Sequence, residues 1–313
     1  MDYYFLGNTG IKVSALCFGA LPMGPLQAGL STEEGGALLL AALEKGINFI
    51  DTAELYATYP QIKWALERYQ GQVVLASKST ATSYRDMKNS IERSLNELGR
   101  DQIEIFHLHA ARDSNPLDNR KEALEAILEN KRKGYIKAAG LATHSVTGVQ
   151  KGGTDPRIDV IFPLINRLGM GILDGGIPEM AAEIKSAMAN GKGLYVMKAL
   201  AGGHLIKEVE NSIKFVRNEV GVPVIAVGML RREELEMNLA IFEGRPVQII
   251  PQTDNYRKRT KVTFLCKGCG RCLKVCHSEA ISIVNGQALI DNDKCLLCGY
   301  CSSECPEFAI RVI

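Results

Sequence analysis

Eight cysteines in the last 48 residues carry the plainest chemical pattern in the chain. Cys266, Cys269, Cys272 and Cys276 are spaced C-x2-C-x2-C-x3-C. Cys295, Cys298, Cys301 and Cys305 repeat that spacing, and Pro306 follows. A [4Fe-4S] cubane needs four thiolates converging on its corners. A tight C-x2-C-x2-C loop supplies three of them, and the fourth comes from the other repeat. The expected ligand sets are therefore Cys266, Cys269, Cys272 and Cys305 for one cluster, and Cys295, Cys298, Cys301 and Cys276 for the second. Two zinc sites are the competing reading, but zinc favours two well-separated cysteine pairs. The apolar runs after the motifs, 280–284 and 308–313, are expected to pack over the clusters and keep water from the sulfurs. The ninth cysteine, Cys17, stands in the apolar run 15–20 and reads as a core residue.

A second set of chemical groups is scattered through the first 250 residues: Asp51, Tyr56, Lys78 and His109. Each ends a short apolar run or follows one closely. Eight such runs are expected to be strands, at 14–18, 48–50, 73–77, 103–108, 138–142, 160–163, 194–197 and 224–227. Longer amphipathic stretches alternate with them, at 32–45, 61–70, 85–98, 121–133, 178–190, 206–219 and 232–243. A helix at 146–153 is the weakest expectation, because the stretch is short and ends in glycines. Eight strands alternating with helices imply a (β/α)8 TIM barrel, an α/β fold, over residues 1–250. A small α+β dicluster ferredoxin-like domain is expected at 251–313. An open doubly wound sheet is the alternative, but no G-x-G-x-x-G opens the first helix. In a barrel the chemistry belongs at the C-terminal ends of the strands, where these four residues fall.

The tail resembles the dicluster ferredoxins over about 50 residues, with His277 where that family usually has proline. The remainder resembles the aldo-keto reductases over roughly residues 1–245. "YFLGNTGIKVSALCFGA" looks like that family's opening hairpin and first strand. "NFIDTAELY" carries the aspartate and tyrosine, and "DQIEIFHLH" ends in the histidine. "VGMLRREELEMN" is similar to the segment that holds the adenosine phosphate end of the cofactor. The resemblance implies a catalytic tetrad. Tyr56 would donate a proton to a carbonyl oxygen as hydride arrives at carbon. A free tyrosine has a pKa near 10, so Lys78 would lower it, and Asp51 would hold Lys78 in an ion pair. His109 would orient the carbonyl or assist the proton relay. The substrate implied is a small carbonyl compound or alcohol, and the cofactor is NAD(P)H. Gly19, Asn166, Gly228 and Asn238 are cofactor positions that match, and Arg231 and Arg232 either serve the adenosine end in place of a usual arginine or simply form a solvated helix start. His107 is expected to be a satisfied barrel residue, and His144 a residue of the rim.

Other cofactor positions depart from the pattern. Ala142 and Thr143 stand where the family has serine and asparagine. Lys198, Ala199 and Leu200 replace the usual tyrosine region, and Glu234 takes the place of a common arginine. Gly202 and Gly203 could let the backbone approach a phosphate, or simply form a tight turn. A nicotinamide moves two electrons as hydride and a cubane moves one, so a flavin is a further cofactor reading. Lys198 would then face a flavin or a phosphate, the alternative being a rim carboxylate.

The run Arg257, Lys258, Arg259 and Lys261 is either solvated or a dock for an acidic electron-carrier protein. A net charge of +2 gives no reason to invoke nucleic acid or a membrane surface. No signal peptide is apparent, and no apolar stretch approaches the roughly 18 residues that would span a bilayer. Eight thiols at cluster spacing suit a reducing cytoplasm. The leading expectation is an NAD(P)-dependent oxidoreductase with electron transfer through two [4Fe-4S] clusters. A flavin-containing electron-transfer module is one alternative. A barrel with structural or redox-sensing clusters is the other.

Overall fold

The computed structural model describes residues 1–110, 113, 115–247, 259–307 and 309–312. The expected boundary at 250/251 falls outside the described residues, as do Arg257, Lys258, Phe308 and Ile313. The chain opens with an antiparallel hairpin, β1 (Tyr3–Phe5) and β2 (Lys12–Ser14). Eight parallel strands follow: β3 (Leu16–Gly19), β4 (Phe49–Asp51), β5 (Val74–Ser79), β6 (Ile103–His109), β7 (Ile136–Thr143), β8 (Val160–Pro163), β9 (Gly193–Leu194) and β10 (Ile225–Gly228). They pair in the order β10-β3-β4-β5-β6-β7-β8-β9. Val196 closes the ring against β10: its N–H donates to Val224 O at 3.1 Å, and its carbonyl accepts from Ala226 N at 2.9 Å. The sheet is thus a closed barrel and not the open alternative.

Helices follow the strands in turn: Thr32–Glu44, Tyr59–Leu66, Tyr84–Leu98, Lys121–Arg132, Val146–Thr154, Ile177–Ala189, Val209–Lys214 and Arg232–Phe242. Local chemistry sets their ends. Ser31 and Glu34 form a reciprocal capping box that satisfies two otherwise orphaned N–H groups. The helix least legible in the sequence is real. Ser145 caps it by accepting from Gly148 N at 3.0 Å. Its glycines serve close packing rather than termination: a Cβ on Gly148 would lie 2.6 Å from Thr143 Oγ1. The stretch expected as one helix at 206–219 is instead a 3-10 turn (Ile206–Glu208), an α segment and a π segment (Phe215–Val220). Apolar side chains form two layers. One lies inside the barrel and includes Cys17, Phe49, Ile105, Phe162 and Tyr195. A larger one lies between strands and helices.

The tail repeats a strand and a short helix. β11 (Thr260–Val262) precedes the helix Arg271–Val275, and β12 (Ile281–Val284) pairs with β13 (Gln287–Ile290). The helix Tyr300–Ser303 leads to β14 (Ile310–Val312), which returns antiparallel to β11. Arg259 and Lys261 are exposed. The tail is seated on loops of the barrel mouth. Gln27 Nε2 donates to Leu297 O at 2.8 Å, and His204 Nε2 lies 2.8 Å from Cys295 O. No helix among the described residues is long and apolar enough to cross a membrane.

Candidate active site and cluster cavities

Parallel strands that end at one rim bring distant residues together. Asp51 ends β4, Lys78 is next to last in β5, and His109 ends β6. Tyr56 sits in the 3-10 turn Glu54–Tyr56 just after β4. That turn is pinned by Glu54, whose carboxylate accepts from Ser79 Oγ and Ser90 Oγ and pairs with Arg93. Lys78 Nζ donates to Asp51 Oδ1 and to Thr52 O, both at 2.7 Å, and its side chain is 1 % exposed. The ammonium lies 4.8 Å from the Tyr56 ring centroid, and the Tyr56 and His109 rings meet edge-on at 6.1 Å. The four expected residues therefore form one buried constellation.

Beneath it runs a second polar layer, of which sequence reasoning singled out His107 but not Tyr195. Tyr195 donates to Asp51 Oδ2 at 2.9 Å, and its hydroxyl lies 2.8 Å from His107 Nε2. Its ring stacks on Phe162 at 4.0 Å. His107 is the satisfied barrel residue expected of it, and Asp51 is held from two sides.

Burial dominates the electrostatics. It pushes Asp51 up and Lys78 down, and each partner's charge opposes that push on the other. The short, fully satisfied contact supports the ionised pair. Burial, followed by the neighbouring Tyr300, pushes Tyr56 well above the usual phenol value. The lowering expected from Lys78 is outweighed in this covered site, and Tyr56 keeps its proton. Burial, then the charge of Lys78, pushes His109 well below its ordinary value, leaving it neutral.

The tail enters this constellation directly. Tyr300, between Cys298 and Cys301 in sequence, places its hydroxyl 3.0 Å from His109 Nε2 and hydrogen-bonds Tyr56. It packs with Ala53 and Tyr56, flanked by Leu21, Leu26 and Val275. His277, the departure from the usual proline, turns its ring toward the barrel. It meets Tyr300 at 4.9 Å and His144 at 5.3 Å. His144 is buried at the mouth, in the field of Lys198. Nothing in the spacing of the sequence marks Tyr300, because its proximity comes only from how the tail is seated.

Two cavities lie within the tail. One is lined by Cys266, Cys269, Cys272 and Cys305 with Ile283 and Ile310. The other is lined by Cys276, Cys295, Cys298 and Cys301 with Ile281 and Ile290. Each combines three cysteines of one motif with one of the other, the crossing expected from the spacing. Among the described residues no three His, Cys, Asp or Glu side chains converge as a single-ion site requires; the thiols line a volume instead. Backbone N–H groups point at the sulfurs: Ala288 N to Cys266 at 3.3 Å, Ala280 N to Cys276 at 3.2 Å and Ala309 N to Cys305 at 3.2 Å. Such donors stabilise thiolate charge around a cluster. These residues fit two cubanes. Anaerobically purified protein is expected to contain about eight iron and eight acid-labile sulfide per chain. Stoichiometric zinc without labile sulfide would overturn the assignment.

Comparison with known proteins agrees with both halves. The description "Aldo/keto reductase family" matches residues 15–220, well over half of the chain. The chain belongs to the aldo/keto reductase family. A "4Fe-4S dicluster domain" matches residues 265–309. L-galactose dehydrogenase of Arabidopsis thaliana is 28% identical over 218 residues, covering 65% of this chain and 66% of that protein. Aldo-keto reductase YhdN of Bacillus subtilis is 27% identical over 164 residues, 47% of this chain and 48% of that one. The chain thus spans about half to two thirds of the length of such relatives. An aldo-keto reductase structure from Pseudomonas aeruginosa has a TM-score of 0.65 and 28% identity, covering 77% of this chain and 94% of that one. Aldo-keto reductase AKR11C1 from Bacillus halodurans, at 21% identity and a TM-score of 0.64, shares the fold over 79% of this chain and 93% of its own.

Within this aldo/keto reductase barrel the expected cofactor residues fall into separate groups. Gly19 and Gly228 are register partners on β3 and β10. Arg231 pairs with Glu234, whose backbone oxygen accepts from Asn238 Nδ2, and Arg232 is exposed. Asn166 turns inward on its own loop, accepting from Leu168 N and Met170 N and donating to Met170 O. Thr143 Oγ1 accepts from Ser145 N at 3.0 Å, and Ala142 is buried inside the barrel. Lys198 adopts a left-handed backbone with φ 59°. Its Nζ is buried without a hydrogen-bond partner among the described residues; burial pushes its pKa down, and the charge of Cys298, Cys295 and Cys276 opposes that push. Gly202 is pressed so close to the tail that a Cβ would lie 2.3 Å from Leu296 O.

Proposed function

We propose that this chain interconverts a carbonyl and an alcohol, with electrons entering or leaving through two [4Fe-4S] clusters in its tail. The observation that carries the reading is the hydrogen-bonded contact of Tyr300 with His109 and Tyr56. It joins a segment between two cluster thiols to the tetrad itself. Residues 1–250 then form the catalytic barrel and 251–313 the electron-transfer domain. When bound, the clusters would supply or accept one electron each; reducing a carbonyl to an alcohol takes two electrons and two protons, one ending on oxygen and the other, taken from solvent, ending on carbon. Tyr56 gives the proton that ends on the oxygen. Lys78 stabilises the phenolate left behind, Asp51 holds Lys78, and His109 donates to the same oxygen.

NAD(P)H is the hydride source that family membership suggests. Gly19, Gly228, Arg231, Arg232 and Asn238 would serve its adenosine end. The groups that would serve its other end do not fit it with the tail seated. Gly202 meets Leu296, the Nζ of Lys198 is buried, and Asn166 is bonded within its own loop. No step is therefore assigned to a nicotinamide. Exposed Cys269, beside Lys267 and Arg271, is where a small acidic electron carrier would approach. Thiols kept for clusters suit a reducing cytoplasm.

The test is anaerobic. Reduced viologen should drive aldehyde reduction, and an alcohol substrate should bleach the cluster absorbance. Cys298→Ala should leave the barrel folded and lower viologen-driven turnover at least tenfold. If no alcohol reduces the clusters and Cys298→Ala alters only stability, the tail is a brace and the reading fails.

A further inference from the structure

The contact between Tyr300 and the tetrad has a shape that an ordinary domain interface does not require. A carbonyl oxygen bound for reduction would offer two lone pairs, one to the Tyr56 hydroxyl and one to His109 Nε2. Tyr300 presents its phenolic oxygen to those same two groups, accepting from Tyr56 and sharing with His109 Nε2 a hydrogen bond whose direction follows the imidazole tautomer. His109 has no other engaged ring nitrogen among the described residues, since its Nδ1 is buried without a partner. Tyr56, His109 and Tyr300 are each 7 % exposed or less, so a second oxygen has no room between them.

We infer that Tyr300 is a specificity-determining residue of the barrel site, its hydroxyl standing in for the substrate oxygen, so that a carbonyl compound binds by displacing it. This rests on the reading of the tetrad given above. The place that Tyr300 holds also describes what can replace it. The phenol ring packs in a cluster with Ala53 and Tyr56, flanked by Leu21, Leu26, Val275 and Cys298, and meets polar groups at its hydroxyl end. Its edge contacts are with the imidazoles of His109 and His277. A group that vacates this space leaves a flat apolar slot with two hydrogen-bond donors at its inner end. The matching substrate class is an aryl aldehyde or ketone, in which a planar ring carries an acceptor oxygen directly. Short aliphatic carbonyls reach the donors but leave the walls of the slot unfilled, and they should compete poorly with Tyr300.

The experiment measures binding and needs no electron source. Benzamide carries the ring and the carbonyl oxygen but is not reduced, and its affinity is read by calorimetry on the cluster-loaded protein. Tyr300→Ala should bind benzamide at least tenfold more tightly than the unmodified chain. Tyr300→Phe, which keeps the ring but loses both hydrogen bonds, should fall between the two. Acetamide should show a smaller gain in each case. Unchanged or weaker benzamide binding in both variants at full iron content would overturn the inference. If Tyr300→Ala loses iron, the double variant Gln27→Ala, His204→Ala loosens the tail without substituting a tetrad residue or a cysteine, and its iron content is measured alongside. It should tighten benzamide binding too, and no gain there counts equally against the inference. Failure here leaves the tetrad standing, because the role of Tyr56 is tested by turnover and not by this affinity.

Discussion

Tyr56→Phe should lower carbonyl reduction by about 10²-fold or more, the usual scale for a positioned acid. The substitution removes one oxygen and leaves the ring against Ala53 and Tyr300. The buried Lys78–Asp51 pair is untouched, since its hydrogen bonds run to Asp51 Oδ1 and Thr52 O and not to Tyr56. Folding stability should therefore change by only about 1 kcal/mol, the worth of one lost hydrogen bond. Cluster content and the cluster spectrum should match the parent. Initial rates of aldehyde reduction under anaerobic conditions provide the measurement. Wild-type turnover in Tyr56→Phe would remove it as proton donor.

Lys78→Met should produce the largest loss of stability of any single change at the site. Asp51 is 4 % exposed and would be left as a buried carboxylate without its counter-ion. Breaking one side of a buried pair costs about 3–5 kcal/mol, and Thr52 O loses its donor as well. The hydroxyl of Tyr195 remains on Asp51 Oδ2, which keeps the loss from going further. Without Lys78, desolvation raises the folded pKa of Asp51 above the unfolded carboxylate value of about 3.9. The folded state then binds the proton more tightly than the unfolded one. The variant should regain stability as pH falls toward that value and lose it as pH rises through the raised folded pKa. Anaerobic urea titrations at several pH values read this directly. A loss under about 1 kcal/mol at neutral pH would mean that the pair contributes little.

Much of this was legible in the order of residues, for a physical reason. The cluster thiols are local in sequence, and a cubane dictates both the triplet and the borrowed fourth ligand. The cavities group Cys305 with the first motif and Cys276 with the second, as that geometry requires. Asp51, Lys78 and His109 were legible because they end successive strands, and parallel strands bring their ends to one rim. What escaped depends on packing between distant segments. Tyr195 was hidden in an apolar run, and only the closed barrel brings its hydroxyl to Asp51 of β4 and His107 of β6, which are not neighbouring strands. Tyr300 and His277 gain their meaning from the seating of the tail, which no periodicity encodes. The helix Val146–Thr154 was weak in sequence because its glycines read as an end. Lys198 was read as facing a flavin or a phosphate, or else a rim carboxylate; nothing in the order of residues shows that its left-handed backbone would leave its Nζ buried without a hydrogen-bond partner among the described residues.

The exchange of one cysteine between the two cavities has a mechanical consequence. Filled, each cavity is a cross-link: Cys305 is tied back across about 30 residues to Cys272, and Cys295 across about 20 residues to Cys276. By analogy with disulfides closing loops of that length, each tie restrains the unfolded tail by about 3–4 kcal/mol. A domain of some 50 residues has little apolar core with which to replace that restraint. Every contact that seats the tail on the barrel through Leu296, Leu297, Cys295 and Tyr300 lies in the second motif, inside this cross-linked region. The grip of the tail on Tyr56 and His109 is therefore only as firm as its iron. A chain stripped of its clusters would keep a folded barrel and lose the part that covers its mouth.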